Sequence, residues 1–369
     1  MKILIVFGTR PEAVKMCPLV LEMKKHKEIQ CVVCLTGQHR EMLQQVMECF
    51  SINEDYNLQI MKENQTLTGI TTSILEGLEP ILQEERPDMV LVHGDTTTSF
   101  AAALACFYQK IPVGHVEAGL RTGNMYSPYP EEMNRSITAQ LASYHFAPTV
   151  LNKENLSKEN IKDNVYVTGN TVIDSFATTV QVGYHYHNPE LQNLDKQEKK
   201  IILVTAHRRE NLGEPLKNIC RALKRIVEAE KNVIIVYPVH MNPRVRETVE
   251  ECISHHERIV LTEPLDVPDM HNLMAESYLV LTDSGGLQEE APALGKPVLV
   301  MRTETERPEA VKAGTAKLVG TEEMEIYREV MVLLSDRFAY ERMAKAVNPY
   351  GDGHASERIV QIILGKKQK

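Results

Sequence analysis

The stretch YLVLTDSGGLQEEAPALGKPVLVMR (278–302) decides the fold class of this chain. An apolar run ends in Ser284-Gly285-Gly286, a helical segment begins at once, and a second apolar run starts at Pro297. A strand, a helix and a second strand in this order are typical of a parallel sheet covered by helices. The stretch therefore predicts an α/β protein.

Runs of the same kind recur along the whole chain. Ten of them are predicted strands: 2–8, 31–37, 88–95, 112–119, 165–170, 200–207, 232–239, 258–265, 278–286 and 297–302. These are too many for one ordinary doubly wound sheet, and the polar stretch 183–199 has no apolar periodicity. We therefore predict two Rossmann-like domains with a central cleft. Their predicted bounds are 1–175, joined by a C-terminal helix over 354–369, then a linker over 176–199, then 200–353.

The composition excludes several classes of protein. The chain has 369 residues, room for about two domains, and its 43% hydrophobic and 25% charged residues are ordinary for a globular protein. Its 41 basic and 50 acidic residues leave a net charge of −9, the wrong sign for a nucleic-acid or anionic-membrane surface. No apolar stretch has the length of a signal or membrane-spanning segment, so we expect a cytoplasmic protein.

The seven cysteines are expected to be reduced core thiols, because their number is odd and their neighbours are mainly apolar. Cys31 and Cys34 form a CxxC pattern, but on a predicted strand their side chains point to opposite faces. His185 and His187 lie in the predicted linker, where a solvated surface is favoured over a metal site. The sequence therefore predicts no metal.

The strongest local signal for a ligand is DSGGLQEEA (283–291). Two glycines allow an anion to approach the backbone, Ser284 adds a hydroxyl, and the helix N-terminus directs N–H groups and a positive dipole at the same point. Glu290, about two turns into the helix, could reach ribose hydroxyls. The alternative is a tight turn with a capping serine. We favour a phosphate site.

Several familiar cofactor motifs are missing from the sequence. There is no GxGxxG, no YxxxK, no Asp-x-Asp, no HExxH and no P-loop. These gaps disfavour nicotinamide chemistry and metal-dependent glycosyl transfer, and we expect no cofactor. Arg10, at the end of the first predicted strand, and Lys15, one turn into the next helix, could balance a diphosphate; a helix-end ion pair is the alternative for Arg10.

Three carboxylates and one imidazole are candidates for acid/base chemistry. Asp95, Glu117 and Glu131 lie at or just after predicted strand ends in the first half, and His207 does so in the second. Each alone is an ordinary cap or ion-pair partner. Together, opposite a phosphate site, they form a plausible acid/base set.

With these residues in view, the chain resembles the bacterial non-hydrolysing UDP-N-acetylglucosamine 2-epimerases. The resemblance rests on FGTRPEAVKM (7–16), QHREML (38–43), VLVHGDTTT (90–98), GHVEAGLRTG (114–123), YPEEMNR (129–135), VTGNTVID (167–174), TAHRREN (205–211), YPVHMNP (237–243), LTDSGGLQEEAPALGKPVLVMR (281–302), TERPEAV (305–311) and NPYGDG (348–353). It implies a glycosyltransferase type B (GT-B) fold, a homodimer, and reversible conversion of UDP-GlcNAc to UDP-ManNAc for bacterial cell-surface polysaccharides. It also implies elimination of UDP to a bound 2-acetamidoglucal, followed by re-addition.

The resemblance assigns roles position by position. Asp95, Glu117, Glu131 and His207 match the family's proposed catalytic residues, and Arg10, Lys15, Ser284, Gly285, Gly286 and Glu290 match its UDP-binding positions.

The resemblance also implies an activating site for a second UDP-GlcNAc molecule. The matching positions are Gln38, Glu41, Glu131, Arg208 and His240. The chain departs from some relatives at Asn64, where they carry arginine, and at Glu41, where they carry glutamine. Loss of a bidentate cation would weaken a site for an anionic ligand.

Three alternatives stay open at this point. A hydrolysing 2-epimerase would release free ManNAc from the same nucleotide sugar. A retaining glycosyltransferase of the same fold would need an acceptor site, where this chain has carboxylates. A UDP-sugar sensor would not need the catalytic set.

Overall fold

The structure is a computed structural model that describes residues 1–37, 40–62, 65–194, 196, 198–254 and 256–365, and within these the side chains of residues 40–42 are outside the description. The chain divides into two compact units. Unit 1 comprises Met1–Thr178 and Tyr350–Lys369, and unit 2 comprises Thr179–Pro349.

Each unit is built on one parallel sheet. In chain order the strands are β1 (Lys2–Phe7), β2 (Gln30–Leu35), β3 (Tyr56–Asn57), β4 (Met89–His93), β5 (Val113–Val116), β6 (Tyr144–Ala147), β7 (Val165–Val167), β8 (Lys200–Thr205), β9 (Val233–Pro238), β10 (Ile259–Thr262), β11 (Leu279–Thr282), β12 (Val298–Val300) and β13 (Ala316–Leu318). The sheet of unit 1 has the order β3-β2-β1-β4-β5-β6-β7, and that of unit 2 has the order β10-β9-β8-β11-β12-β13. All paired strands in these sheets are parallel.

Helices connect the strands. They are α1 (Arg10–Lys24), α2 (Arg40–Cys49), α3 (Leu67–Glu85), α4 (Thr97–Tyr108), α5 (Glu131–Leu141), α6 (Val150–Lys158), α7 (Thr171–Asp174), α8 (Phe176–Thr179), α9 (Pro189–Gln192), α10 (Glu214–Ala229), α11 (Pro243–Ile253), α12 (Val267–Glu276), α13 (Gly285–Ala293), α14 (Pro308–Ala313), α15 (Glu323–Ser335), α16 (Arg337–Ala344) and α17 (Ala355–Ile363). Among the described residues, no helix combines the length and the apolar character that crossing a bilayer requires.

The central strands are buried on both faces, which explains their continuous apolar runs. In β1 every residue from Ile3 to Phe7 is fully buried, as are Val280 and Leu281 in β11. Strands covered by helices on both sides have no solvent face, so their sequences do not alternate. The apolar runs that predicted the strands are therefore the cores of the two units.

Three strands were missed by the sequence prediction, which gave ten where the described residues form thirteen. β3, β6 and β13 have only two to four residues, and β3 and β13 lie at sheet edges. β3 is too short to show a pattern, and His145 in β6 and Lys317 in β13 interrupt runs that would otherwise be apolar. The predicted strands were also too long at their carboxyl ends: 112–119 was predicted where β5 ends at Val116, because the left-handed backbone of Glu117 interrupts the extended conformation.

The segment expected as the linker 176–199 contains the short helices α8 and α9. Within unit 2 it packs on α12: the Tyr186 ring is buried and its hydroxyl donates a hydrogen bond of 2.9 Å to Glu276. Asp269 accepts hydrogen bonds from the backbone N–H groups of His187 and Asn188. Polar side chains here fix a backbone that has no regular repeat.

The C-terminal helix α17 packs within unit 1 against α1 and α7. Its Ile359 and Val360 are fully buried. The first backbone N–H groups of α17 lack a capping side chain from His354, and the Asp174 carboxylate accepts them instead, from Ala355 at 3.2 Å and Ser356 at 2.8 Å. A carboxylate at a helix N-terminus is stabilising because it meets both the unpaired donors and the positive end of the dipole.

The first turn of unit 1 shows how its sequence shapes the carboxyl edge of the sheet. Thr9 caps α1, its hydroxyl accepting from Glu12 N–H, while Glu12 accepts the N–H groups of Gly8 and Thr9. Thr96, which caps α4, donates its hydroxyl to the same carboxylate at 2.6 Å. The buried Glu12 therefore ties together the ends of β1 and β4, from which the loops of the candidate site emerge.

Candidate functional site

Glu117 is the centre of the polar cluster in unit 1. It follows β5 directly and has a φ of +61°, a conformation that costs energy for any residue with a Cβ. Lys15 Nζ lies 2.7 and 2.9 Å from its two carboxylate oxygens, and Asn170 Nδ2 donates to Oε1 at 3.1 Å. His93 Nε2 lies 3.0 Å from Oε2. Groups from α1, β4 and the end of β7 thus meet on one carboxylate.

This cluster keeps the carboxylate ionised. Burial alone would raise the pKa of Glu117, but the ammonium of Lys15 and the imidazole of His93 outweigh it and hold the pKa well below its usual range. A buried charge of this kind is tolerated only because its partners are in contact with it. Glu117 is therefore an anion able to accept a proton, and Lys15, expected at a diphosphate, is bound to it here.

Gly94 and His115 lie next to Glu117 and shape the turn beside it. Gly94 has a φ of +63°, and a Cβ there would lie 3.2 Å from Glu117 Oε2. His115 is fully buried in β5, and its Nε2 donates to the Gly94 carbonyl at 2.7 Å. Burial is the main reason that the pKa of His115 falls to about 3. A neutral imidazole thus fixes the turn next to Glu117.

Asp95 and Arg135 form a second pair in unit 1. Arg135 Nη2 lies 2.5 Å from Asp95 Oδ2, and Asn134 Nδ2 donates to the Asp95 backbone carbonyl at 3.0 Å. The guanidinium is almost fully buried, while the Asp95 side chain keeps 30% of its exposure. Asp95 is thus held on one side and open on the other.

Glu131 and Glu132 have different positions at the start of α5. Glu132 is buried and accepts the backbone N–H groups of Thr122 and Gly123, which holds the loop after β5 in place. Glu131 is the first residue of the helix and is half-buried. Of the two, the structure gives Glu132 a structural role and leaves Glu131, the sequence candidate, at the more accessible position. Arg10 likewise begins α1 and is half-buried.

The start of α13 is the candidate anion site in unit 2. Ser284 is the residue before the helix, but its side chain makes no capping hydrogen bond, which contradicts the alternative of a capping serine. A Cβ on Gly285 would lie 3.8 Å from guanidinium nitrogens of both Arg208 and Arg307. Unpaired helix N–H groups flanked by two guanidinium groups make a strong site for phosphate oxygens.

Acidic partners hold these arginines in place. Glu306 lies 3.7 Å from Arg208 Nη1 and 2.7 Å from Arg302 Nη1, and Glu289 pairs with Arg307. Burial would raise the pKa of Glu306, but hydrogen bonds from Arg302 lower it to about 2. Glu306 is therefore charged, and the ion pairs of Glu306 and Glu289 orient the guanidinium groups around the helix start.

Asp283 organises the loop that carries His207. It is fully buried, and its Oδ2 accepts the backbone N–H groups of His207 and Arg208 at 2.8 Å each and Asn211 Nδ2 at 3.0 Å. His207 Nδ1 is 3.4 Å from Asp283 Oδ1, and the ring stacks on His240 at 5.2 Å. Burial is the largest cause of a lowered pKa at His207, opposed by Asp283. His207 is therefore favoured as a neutral imidazole.

Glu290 lies on α13, about one turn after Gly286 of the candidate anion site. Its Oε2 is 3.5 Å from His271 Nε2, and His271 Nδ1 pairs with the Thr179 hydroxyl at 2.8 Å. Glu290 Oε1 would be 3.1 Å from a Cβ on Gly286, which places the carboxylate beside the glycines. This is the arrangement expected of an acceptor for sugar hydroxyls near a bound phosphate.

Only some of the residues predicted for an activating site lie within the described part of the structure. Arg208 and His240 lie in unit 2: Arg208 follows His207 in the chain and reaches Gly285, and the His240 ring stacks on His207. Gln38, Asn64 and the Glu41 side chain lie outside the described residues.

One group of three possible metal ligands occurs among the described residues, His187, Asp266 and Asp269, with ligand atoms within 4.8 Å of one another. His187 Nδ1 lies 2.6 Å from Asp266 Oδ2, and that hydrogen bond is the main cause of a raised pKa at His187. Asp266 also caps α12. The group is accounted for as an ion pair that fixes the segment on α12.

Sequence reasoning missed His93, Arg135, Asn170, His271 and Arg307. All of them except His271 lie within a recognised block, such as VTGNTVID (167–174) for Asn170 and TERPEAV (305–311) for Arg307. Strand-end position alone could have suggested His93 and Asn170. Nothing in the sequence shows that residues so far apart along the chain meet at one carboxylate.

Comparison with known proteins gives a match along nearly the whole chain. The UDP-N-acetylglucosamine 2-epimerase family profile matches residues 21–364. The UDP-N-acetylglucosamine 2-epimerase of Bacillus subtilis is 56% identical over 365 residues, 99% of this chain and 95% of that protein. The structure of UDP-GlcNAc 2-epimerase from Neisseria meningitidis bound to UDP-GlcNAc has 50% identity and a TM-score of 0.86, covering 99% of this chain and 100% of that one.

The comparisons also confirm the predicted fold class. A glycosyltransferase of kitacinnamycin, only 11% identical, covers 98% of each chain with a TM-score of 0.66, a likeness of fold alone. Two parallel sheets with interleaved helices, together with these neighbours, make the fold GT-B. The resemblance to UDP-N-acetylglucosamine 2-epimerases drawn from the motifs is likewise confirmed.

The buried imidazole of His115 predicts a pH-dependent stability. Its folded pKa, about 3, is below the ordinary 6.5, so its contribution is complete above pH 6.5 and is lost as the pH falls toward 3. We expect His115→Gln to remove up to about 1.4 kcal/mol per pH unit from that slope, whatever the substitution costs at pH 7. Unfolding midpoints measured between pH 7 and pH 5 test this, with exposed His185→Gln keeping the wild-type slope. An unchanged slope in His115→Gln would contradict it.

Proposed function

The chain belongs to the UDP-N-acetylglucosamine 2-epimerase family, and we propose that it interconverts UDP-GlcNAc and UDP-ManNAc without hydrolysis. The observation that carries the proposal is the ionised Glu117, held by Lys15 at the end of β5. Inversion at C2 requires removal of the C2 proton, and a positioned carboxylate is suited to that step.

The proposed reaction begins with elimination of UDP. A carboxylate takes the proton from C2, and the electron pair of that C–H bond forms a double bond between C1 and C2. The C1–O bond breaks, and its electron pair leaves with the β-phosphate of UDP. The product is 2-acetamidoglucal, which stays bound while UDP is held beside it.

Re-addition completes the inversion. The phosphate oxygen of UDP forms a new bond to C1, and a proton is delivered to C2 on the opposite face. One fixed base cannot serve both faces, so two acid/base groups are needed, or one group and a sugar that moves. Asp95, Glu117 and Glu131 all lie at the carboxyl edge of the sheet of unit 1 and are the candidates.

Stabilisation of the leaving group provides most of the rate in this proposal. A turnover of about 10 per second requires a barrier of about 16 kcal/mol. One general base contributes about 10²–10⁴-fold, and the C2 proton is scarcely acidic. Charge that develops on UDP therefore has to be stabilised, and the start of α13 with Arg208 and Arg307 is built for that. In unit 2 the start of α13 would bind the phosphates of UDP, with His207 beside the anion and Glu290 at the ribose.

The test of the proposed function is NMR of UDP-GlcNAc incubated with the protein in D₂O. We expect UDP-ManNAc with deuterium at C2, deuterium in the recovered substrate, and no free ManNAc. Release of ManNAc would indicate the hydrolysing reaction, and transfer to an added acceptor with no C2 exchange would indicate a glycosyltransferase. Asp95→Asn, Glu117→Gln and Glu131→Gln should each slow exchange by about 10²-fold or more while UDP binding persists. Near-normal exchange in all three would remove the carboxylates from the reaction.

The anion site predicts a specific effect of a single methyl group. In Gly285→Ala the new Cβ stands 3.8 Å from both guanidinium groups, in ordinary contact but in the space where a phosphate would lie. We expect UDP binding, measured by calorimetry, to weaken about 10-fold or more, with the melting temperature unchanged. Gly69→Ala, in α3, is the matched control and should bind UDP normally. Wild-type affinity in Gly285→Ala would place the phosphates elsewhere.

We also propose activation by a second UDP-GlcNAc molecule, with Arg208 and His240 among its ligands, in a homodimer. His240 stacks on His207 and Arg208 follows it in the chain, so a ligand on both residues would lie close to the proposed catalytic imidazole. Conversion of pure UDP-ManNAc should then accelerate when a trace of UDP-GlcNAc is added. An equal initial rate with and without the trace would contradict activation.

The reaction is proposed to occur in the cytoplasm, where the free cysteines of the described structure would stay reduced, and to supply UDP-ManNAc for a cell-surface polysaccharide.

A further inference from the structure

Asn170 contacts Glu117, the centre of the polar cluster in unit 1, and none of the sequence motifs indicated this contact. It lies after β7, is almost fully buried, and caps the short helix α7. Its Oδ1 accepts the Val172 N–H at 3.1 Å, while its Nδ2 donates to Glu117 Oε1 at 3.1 Å. The oxygen of this side-chain amide therefore caps a helix, and its nitrogen binds the carboxylate.

The backbone at Asn170 is fixed by the chain that returns from unit 2. Asn170 N–H donates to the carbonyl of Tyr350, the first residue of the returning segment, at 2.6 Å. Gly169 has a φ of +89°, and a Cβ there would lie 3.2 Å from the Gly351 Cα. Such close backbone packing leaves Asn170 little freedom to shift. The amide is thus a rigid reference point for Glu117.

The chemistry of the amide distinguishes it from the other groups around Glu117. Lys15 contacts both carboxylate oxygens and His93 approaches Oε2, and either can carry a charge or a proton. An asparagine amide donates a hydrogen bond but does not exchange protons with a carboxylate at ordinary pH. It can therefore set the rotation of the carboxylate plane and favour its charged form without competing for the C2 proton.

We propose that Asn170 is a positioning residue for Glu117. Its backbone is held by the returning segment at Tyr350, and its amide orients the Glu117 carboxylate for proton transfer at C2. The inference rests on the proposed epimerase function. Its effect is exerted through Glu117, so substitution should alter the chemical step and its pH dependence rather than the affinity for UDP.

Two substitutions separate this role from helix capping. Asn170→Ser keeps a side-chain oxygen that can cap α7 but removes the donor to Glu117. Asn170→Asp also keeps the cap but replaces the donor with a second carboxylate next to Oε1, so that the two groups share a proton. Asn188→Ser is the matched control: Asn188 caps α9 in unit 2 through Glu190 and Leu191 N–H.

The experiment measures kcat, KM and the pH profile of kcat for the full chain converting UDP-GlcNAc, with melting temperatures recorded for every variant. In Asn170→Ser we expect kcat to fall about 10-fold to 100-fold, KM to stay within about threefold, and the acid limb to move to higher pH. Asn170→Asp should move that limb further. Asn188→Ser should match the wild type.

Two results would overturn the proposal. One is wild-type kcat and an unmoved acid limb in Asn170→Ser, whatever the melting temperature, since the residue would then serve only the helix. The other is a fall in kcat with the acid limb unmoved in both variants, since the effect would not pass through Glu117. A wild-type protein with no conversion of UDP-GlcNAc would instead contradict the proposed function itself, which makes the two failures distinguishable.

Discussion

The ion pair between Lys15 and Glu117 is the interaction on which the rest of unit 1 depends. A carboxylate buried at the end of β5 in a left-handed backbone conformation is costly on both counts. It persists because α1 supplies Lys15, β4 supplies His93, and the end of β7 supplies Asn170. The order of the parallel sheet brings those elements to one edge, where their side chains meet the ionised carboxylate.

Unit 2 uses a buried carboxylate for a different purpose. Asp283 accepts the backbone N–H groups of His207 and Arg208 and thereby fixes the loop beside the start of α13. The Ser284 hydroxyl does not cap the helix, so its first N–H groups have no capping side chain. An acidic chain with a net charge of −9 thus concentrates positive potential at one helix end, with Arg208 and Arg307 beside Gly285. The −9 charge excluded nucleic-acid partners, and the local arrangement explains how an anion could still bind.

The sequence predicted the architecture well because the central strands of both sheets are buried on two faces. Such strands are continuous apolar runs, which are easy to recognise in a sequence. It failed for β3, which has two residues, and for β6 and β13, whose short runs are interrupted by His145 and Lys317. Strand-end candidates such as Asp95 and Glu117 could be named, since parallel strands expose their carboxyl ends together. Their partners could not. Lys15 was expected at a diphosphate, and its contact with Glu117, 102 residues away, depends on packing that no local pattern records.

The ionisation of Glu117 is the central claim, and infrared difference spectroscopy tests it most directly. Wild-type protein and Glu117→Gln are compared at about pH 6, well above the ordinary pKa of a carboxyl group. We predict that the substitution removes intensity from the carboxylate stretching band and none from the protonated-carboxyl band. The same result should hold on acidification to about pH 4.5, where an unperturbed glutamic acid would be half protonated. Loss of a protonated-carboxyl band in Glu117→Gln at either pH would contradict the account.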